Sequence, residues 1–390
     1  MAKRGGGFIG RDGINAPDPA TGVTGTAGNE QVDVSFTSPS DVGGADITGY
    51  RVTDSTGAFG ATGSASPITV TGLTNGTSYT FNVWAINPFG WSSPSDASAS
   101  VSPAIFQRAV FVGGNTDAME YVDITTTGNG TDFGDLLAST RFLAGFGSTT
   151  RGIIAGGSNS NTIQYITFAT TGNAIDFGDM SYTTGSNNDM GCSSSTRGLT
   201  GGGIYAGSRK NNIDYVTIAT TGNGTDFGDL TQARYGVSAL ASPTRGVWCG
   251  GETSGTFVNT MDYVTIASTG NATDFGNLLQ GRRDSAGLSS STRGVIGGSY
   301  TYPGSAPLFQ NLDYITIAST GNAADFGDAT KGFAMGAGTS GATRGLFGLG
   351  DGVTIDQITI ASTGNATDFG DLISDASQGG VTSSYHGGLQ

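Results

Sequence analysis

The strongest constraint in this sequence is a unit repeated six times. An Asp-Phe-Gly triplet recurs with its phenylalanine at Phe133, Phe177, Phe227, Phe275, Phe326 and Phe369, at intervals of 44, 50, 48, 51 and 43 residues. An arginine followed by a small residue recurs in the same phase, at Arg108, Arg151, Arg197, Arg245, Arg293 and Arg344. Such a period means that each copy is one supersecondary unit that cannot bury its apolar face alone, so neighbours must stack. In the clearest copy a small-residue run, YGVSALAS, precedes TRGVWCGG, and NTMDYVTIASTGNATDFGNL follows. Alternation in these runs predicts four strands: the small-residue run, the arginine strand ending on paired glycines, DYVTIA, and the short TDFGDL. T-G-N supplies the positive-φ residues needed to turn the third strand into the fourth.

Four strands in about 45 residues is the dimension of a propeller blade. The order of arginine, double glycine, tyrosine and D-F-G resembles kelch repeats, whose second strand ends on a double glycine. Here phenylalanine replaces the later kelch tryptophan. The first copy begins with a second strand, QRAVFVGG, and lacks a first. The run near 378–387, QGGVTSSYHG, reads as that missing first strand, so the ring is expected to close there and leave no free edges. A β-solenoid or a trimeric fibre is the other architecture compatible with a repeat.

Upstream, residues 17–103 alternate apolar and polar in short runs: Val32, Val34 and Phe36, then Ile47, Tyr50 and Val52, then Ile68 and Val70, then Tyr79, Phe81 and Val83. Gly/Pro/Ser-rich breaks separate them, which predicts a β-sandwich. The stretch GLTNGTSYTFNVWAINPFGWSSPS, Gly72 to Ser95, resembles the fibronectin type III family. Leu73 stands six residues before Tyr79, the spacing of that family's tyrosine corner. The expected fold is therefore all-β: a glycine-rich arm at 1–16, a fibronectin type III (immunoglobulin-like) sandwich at 17–103, and a six-bladed kelch-like β-propeller at 104–390. The arm carries one apolar anchor, Phe8 and Ile9, and is either a disordered tail or a peptide that orders on a partner.

Composition narrows function. Net charge is −14, acid is 28 Asp against 3 Glu, and base is 14 Arg against 3 Lys. The acidity argues against a nucleic-acid partner, which would demand a basic stripe. No apolar run reaches the roughly 20 residues of a membrane helix, and MAKRGGGFIGRDG has no apolar core of a secretory signal. His386 is the only histidine. One terminal histidine cannot build a Ser-His-Asp triad or a zinc site. It also excludes the copper-radical oxidases among kelch-type propellers, which the resemblance would otherwise bring in. Cys192 and Cys249 read as small buried apolar residues. No reaction type survives this inventory, and no cofactor is expected.

The D-F-G aspartates Asp132, Asp176, Asp226, Asp274, Asp325 and Asp368 invite a Ca2+ or glycosidase reading, because five of the six are followed by a second acid. Six-fold repetition favours architecture instead. The recurrent arginines are the natural partners, so each is expected within salt-bridge reach of a D-F-G aspartate. The N-x-T sites at Asn75, Asn129, Asn223, Asn271 and Asn365 read as turn chemistry.

The connectors from double glycine to third strand hold 6, 7, 11, 11, 15 and 6 residues. Variation concentrated there means that one rim has been diversified over a constant scaffold. The long connectors carry Tyr205, Arg209, Lys210, Phe257, Tyr300, Tyr302 and Phe309, residue types suited to sugar stacking or protein contact. Finally, TIASTGNATDFGDL together with the sandwich resembles virion structural proteins of tailed bacteriophages, especially those of marine cyanobacteria. That resemblance implies a non-enzymatic tail, fibre or capsid-decoration component. Its arm would dock on other virion proteins, virion symmetry would set its copy number, and its propeller would meet solvent or a host-surface glycan. A carbohydrate-binding kelch lectin of a bacterial surface or secretion is the alternative.

Overall fold

The computed structural model describes residues 15–103, 107–184, 191–300, 307–350, 352–375 and 378–389, and every regular element within them is a β-strand. The chain divides into two compact units, Met1–Phe106 and Gln107–Gln390. Phe8 and Ile9 of the expected arm, and Tyr302, lie outside the described residues.

The first unit has seven strands: β1 (Thr21–Gly28), β2 (Gln31–Thr37), β3 (Gly49–Asp54), β4 (Gly60–Gly63), β5 (Ile68–Thr71), β6 (Phe81–Asn87) and β7 (Gly90–Trp91). One sheet runs β1-β2-β5 and the other β4-β3-β6-β7. The alternation read from sequence faces Val32, Val34 and Phe36 of β2 and Phe81, Val83 and Ala85 of β6 into one apolar core. The Tyr79 hydroxyl accepts from the Thr74 amide at 3.1 Å, and Leu73 beside it is buried. After Trp91 the chain continues along β6. Ser92, Ser95 and Ser98, three residues apart, accept the Ala85, Val83 and Phe81 amides on their hydroxyls at 2.9, 2.9 and 3.0 Å.

The second unit contains six four-stranded antiparallel sheets, one per sequence repeat. In the fourth, the strands are Ser238–Ala241, Arg245–Cys249, Thr260–Thr265 and Thr273–Asn277, in that order. The first sheet takes its first strand from the other end of the chain. Gly379–Ser383 pairs antiparallel with Arg108–Gly113, Val381 opposite Phe111. The first strand of each sheet packs against the first strand of the next, and the sixth packs against Gly379–Ser383, so the contacts close into a cycle.

The junctions between sheets repeat with the same chemistry. The glycine of each D-F-G holds φ between about 139° and 150°, and a Cβ there would meet the next repeat's backbone: Gly228 meets the Gly270 carbonyl at 2.5 Å, and Gly370 meets Gly128 at 2.4 Å. Across that approach the Gly270 and Ala272 amides donate to the Phe227 and Asp229 carbonyls. The Asn271 side chain accepts the Asp229 amide at 3.1 Å. The sixth junction returns to the first repeat, with the Gly128 and Gly130 amides on Phe369 and Asp371 and the Asp371 amide on Asn129. The N-x-T asparagines of this unit thus spend their side-chain oxygens on neighbouring repeats, as Asn75 spends its own on the Glu30 amide.

The recurrent arginines overturn the expected ion pairs. Arg108, Arg151, Arg197, Arg245, Arg293 and Arg344 have no carboxylate within 4 Å among the described residues, and Asp132, Asp176, Asp226, Asp274, Asp325 and Asp368 are solvent-exposed. Each arginine instead donates from Nη1 to a carbonyl at the end of the next repeat's third strand: Phe168, Ile218, Ile266, Ile317, Ile360 and, closing the cycle, Ile124, at 2.6–3.0 Å. Its guanidinium lies 4.2–4.7 Å from the third-strand tyrosine of its own repeat, Tyr121, Tyr165, Tyr215, Tyr263 or Tyr314. A ring face and a carbonyl satisfy a half-buried guanidinium without placing a second charge there. In the sixth repeat Gln357 replaces the tyrosine, and Arg344 moves over Phe369 at 5.6 Å.

Two outcomes follow. Gly228→Ala should lose roughly 2–4 kcal/mol of stability through strain and clash. Gly222→Ala, where nothing lies within 4 Å of the added Cβ, should stay within about 1 kcal/mol; guanidinium denaturation distinguishes them. Gln357→Tyr should restore the ring beneath Arg344 and gain about 0.5–1 kcal/mol by the same measurement.

Candidate functional site

Three polar constellations could carry function: the buried third-strand acids, the only histidine, and the connector rim. The residue two places before Val or Ile in each third strand is Glu120, Gln164, Asp214, Asp262, Asp313 or Asp356, and all six are buried. Each accepts an amide from the preceding repeat just past its D-F-G: Ile373, Leu137, Ser181, Thr231, Leu279 and Thr330. Asp214, Asp313 and Asp356 have carboxyls pushed above the usual aspartate value of 3.8, by burial first and by the facing D-F-G aspartate in part. Two junctions add a fully buried cation. Arg234 reaches Asp262 at 2.8 Å and Arg282 reaches Asp313 at 2.6 Å. At the junction before them, the Tyr182 hydroxyl faces Gly202 and Asn212 carbonyls that match those Arg234 takes at Gly250 and Thr260. These are structural plugs for the junctions. No group of three or more His, Cys, Asp or Glu among the described residues is placed to hold a metal ion.

His386 sits with the six first strands around a small cavity of about 40 Å³, lined by Phe146, Cys192, Leu240, Leu288, Thr339 and Thr382 among others. Its Nε2 is 3.0 Å from the Gly147 carbonyl and 3.2 Å from Ser193 Oγ. Its Nδ1 accepts the Gly388 amide, so the hydrogen-bond network assigns the proton to Nε2. That proton points at a carbonyl, leaving no lone pair to deprotonate Ser193, and among the described residues no carboxylate orients the ring. Burial pushes the imidazole down to about 4. The pair lacks the arrangement of a nucleophile and its base. Cys192 and Cys249 are buried, and burial raises both thiols, Cys249 to about 12. Neither is a thiolate at neutral pH.

The rim is where the sequence candidates partly converge. Arg209 closes the short hairpin of Ile204–Tyr205 and Ser208–Arg209 and reaches Glu252 Oε1 at 2.6 Å. Arg283 reaches Glu252 Oε2 at 2.5 Å and Asp284 at 2.9 Å. The Tyr235 hydroxyl donates to Glu252 at 2.6 Å. Three rings surround the Arg283 guanidinium: Phe257 at 4.9 Å, Tyr300 at 5.3 Å and Tyr235 at 5.6 Å. Phe309 lies instead against the buried Arg282, at 5.8 Å. Lys210 contributes backbone hydrogen bonds to Gly203 and Arg234, and Tyr205 is 40% exposed on its hairpin. Sequence reasoning missed Glu252, Tyr235 and Arg282–Asp284. The signals were there: one of only three glutamates, and the chain's only Arg-Arg-Asp run.

Glu252 is therefore the keystone of three connectors. Burial pushes its carboxyl up, but hydrogen bonds from Tyr235, Arg283 and Arg209 outweigh that and hold it below 4.5. A lowered folded-state value gives stability that is present above 4.5 and lost as pH falls through the folded value. Glu252→Gln should cost about 1–3 kcal/mol at pH 7, and the gap from the native chain should shrink at pH 3. Denaturant melts at the two pH values check this.

Residues 16–101 match the fibronectin type III domain family. A titin structure containing domains A168–A170 is similar over 23% of this chain and 32% of that one, at 33% identity and a TM-score of 0.21. No curated protein matches the chain.

Proposed function

We propose that this chain is a non-enzymatic structural protein of a phage virion, in which the fibronectin type III domain carries a six-bladed kelch-like β-propeller. The observation that carries this reading is the closed cycle of junctions, sealed by the pairing of Gly379–Ser383 with Arg108–Gly113. An open solenoid would leave the first and last sheets without each other. Here the last repeat's Arg344 bonds Ile124 of the first, as every other arginine bonds its successor. The buried arginines and third-strand acids are spent on these junctions, which suits a scaffold that must keep its shape rather than turn over a substrate. Net charge of −14 suits an assembly that repels free nucleic acid. Among the described residues no helix is long and apolar enough to cross a membrane.

The position on the particle is a tail, fibre or capsid-decoration site, docked through residues 1–16 on other virion proteins and presenting the rim. The rim cluster favours a second use of the same body, adhesion to a host-surface glycan, because long connectors with ordered aromatic and arginine side chains cluster on one arc. The lectin alternative shares that rim but not the particle.

Mass spectra of purified phage particles should contain peptides from both units of this chain. Removing residues 1–16 should abolish incorporation while leaving the circular dichroism and melting of the remainder unchanged. Particles free of the chain, or unchanged incorporation of the truncated form, would overturn the assignment.

A further inference from the structure

The first unit holds polar groups that the fold leaves unspent. Two of the chain's three tryptophans, Trp84 and Trp91, are on the sheet β4-β3-β6-β7. Register places them on its open face. Arg51 is opposite Trp84 and Thr62, and Trp91 is opposite Ile86. The residues between them along the strands, Tyr50, Val52, Val83 and Ala85, point into the core. Trp91 is 51% exposed, and the Arg51 guanidinium lies 5.8 Å from the centre of its ring. Arg51 has no carboxylate within 4 Å among the described residues. This contrasts with the rim, where Arg283 is already enclosed by three rings and two acids. Beside Arg51, at the β3–β4 side of the sheet, a groove of about 310 Å³ is lined by Thr53, Gly57, Phe59, Gly60, Ala61 and Thr62. Gly57 and Gly60 add no side chain to it, and the exposed Thr62 supplies a hydroxyl.

We infer that this face is a binding site for a neutral polysaccharide. Sugar rings present apolar C–H faces that stack on indoles and hydroxyls that accept from a guanidinium, and the two sets of groups lie side by side here. The groove continues the track across the sheet, as an extended chain requires. Charge selects the neutral class: the described part of this unit has seven acidic residues, and Arg51 is its only cation. That field repels a polyuronate. The inference is independent of the virion reading and concerns a different unit from the rim.

The full chain tests it by affinity electrophoresis through gels containing soluble β-glucan, galactan or mannan, with alginate as the polyanionic counterpart. At least one neutral glycan should retard the protein and alginate should not. Trp91→Ala should weaken retardation about tenfold, and Arg51→Gln should weaken it measurably, while Glu252→Gln at the rim leaves it unchanged. Iodide quenching gives a readout that needs no variant. Trp248 is fully buried, so quenchable emission comes from Trp84 and Trp91, and the bound glycan should shield it. Failure of all three neutral glycans, preference for alginate or a polyproline peptide, or full binding by a folded Trp91→Ala chain would each overturn the inference. Loss of binding in Glu252→Gln but not in Trp91→Ala would assign the glycan to the rim instead.

Discussion

Everything in the repeat unit depends on how closely one sheet's fourth strand approaches the next sheet's third-to-fourth turn. Where Gly228 faces the Gly270 carbonyl the two backbones are so near that a Cβ on Gly228 has no room. That proximity lets two amides and an asparagine side chain cross the junction as hydrogen bonds. It also carries the next repeat's third strand to where the arginine can reach its terminal carbonyl. The sixth junction uses the same atoms as the others, so the contacts from sheet to sheet return to the first repeat.

Departures from the repeat are local solutions to one electrostatic problem. A buried carboxylate at five of the six junctions organises amides of the previous repeat, but it faces an exposed aspartate of its own sheet, as in Asp214 opposite Asp226, Asp313 opposite Asp325 and Asp356 opposite Asp368. Two junctions answer with a buried arginine, Arg234 or Arg282. Another answers with Gln164, which accepts the same amide without a charge. Removing Asp262 from beneath Arg234 would strand a cation with no water, a loss of about 3–5 kcal/mol. Those paired junctions join repeats three to five, which carry the long connectors, so the most elaborate connectors stand on the junctions with buried ion pairs.

The sequence was most informative where a local rule acts alone. Period-two alternation located β2 and β6, the spacing of Leu73 and Tyr79 located the corner, and the phase of the repeat located the missing first strand at Gly379–Ser383. It misled where a rule is non-local. Six arginines and six aspartates in one phase invite pairing, but the pleat puts the D-F-G aspartate on the solvent side and the arginine over a tyrosine. The side chain that holds each junction is the third-strand residue two places before Val or Ile, written Glu, Gln or Asp, and so less regular than the triplet. At the rim, Phe257 and Tyr300 were visible as aromatics in long connectors. Tyr235 and Arg283 come from the connectors between repeats, and the packing of consecutive repeats brings the two kinds of connector together.

The two classes of buried acid give pH responses of opposite sign. Asp214 and Asp356 have raised carboxyls, so their contribution to stability is fully present below 3.8 and is lost as pH rises through their folded values. Glu252 has a lowered carboxyl, so its contribution is present above 4.5 and is lost on acidification. Moving from neutral to acid therefore relieves strain at the junctions while withdrawing the charge that gathers the rim connectors. At the junctions the amides of Ser181 and Thr330 keep an oxygen to donate to whether or not the acid is ionised.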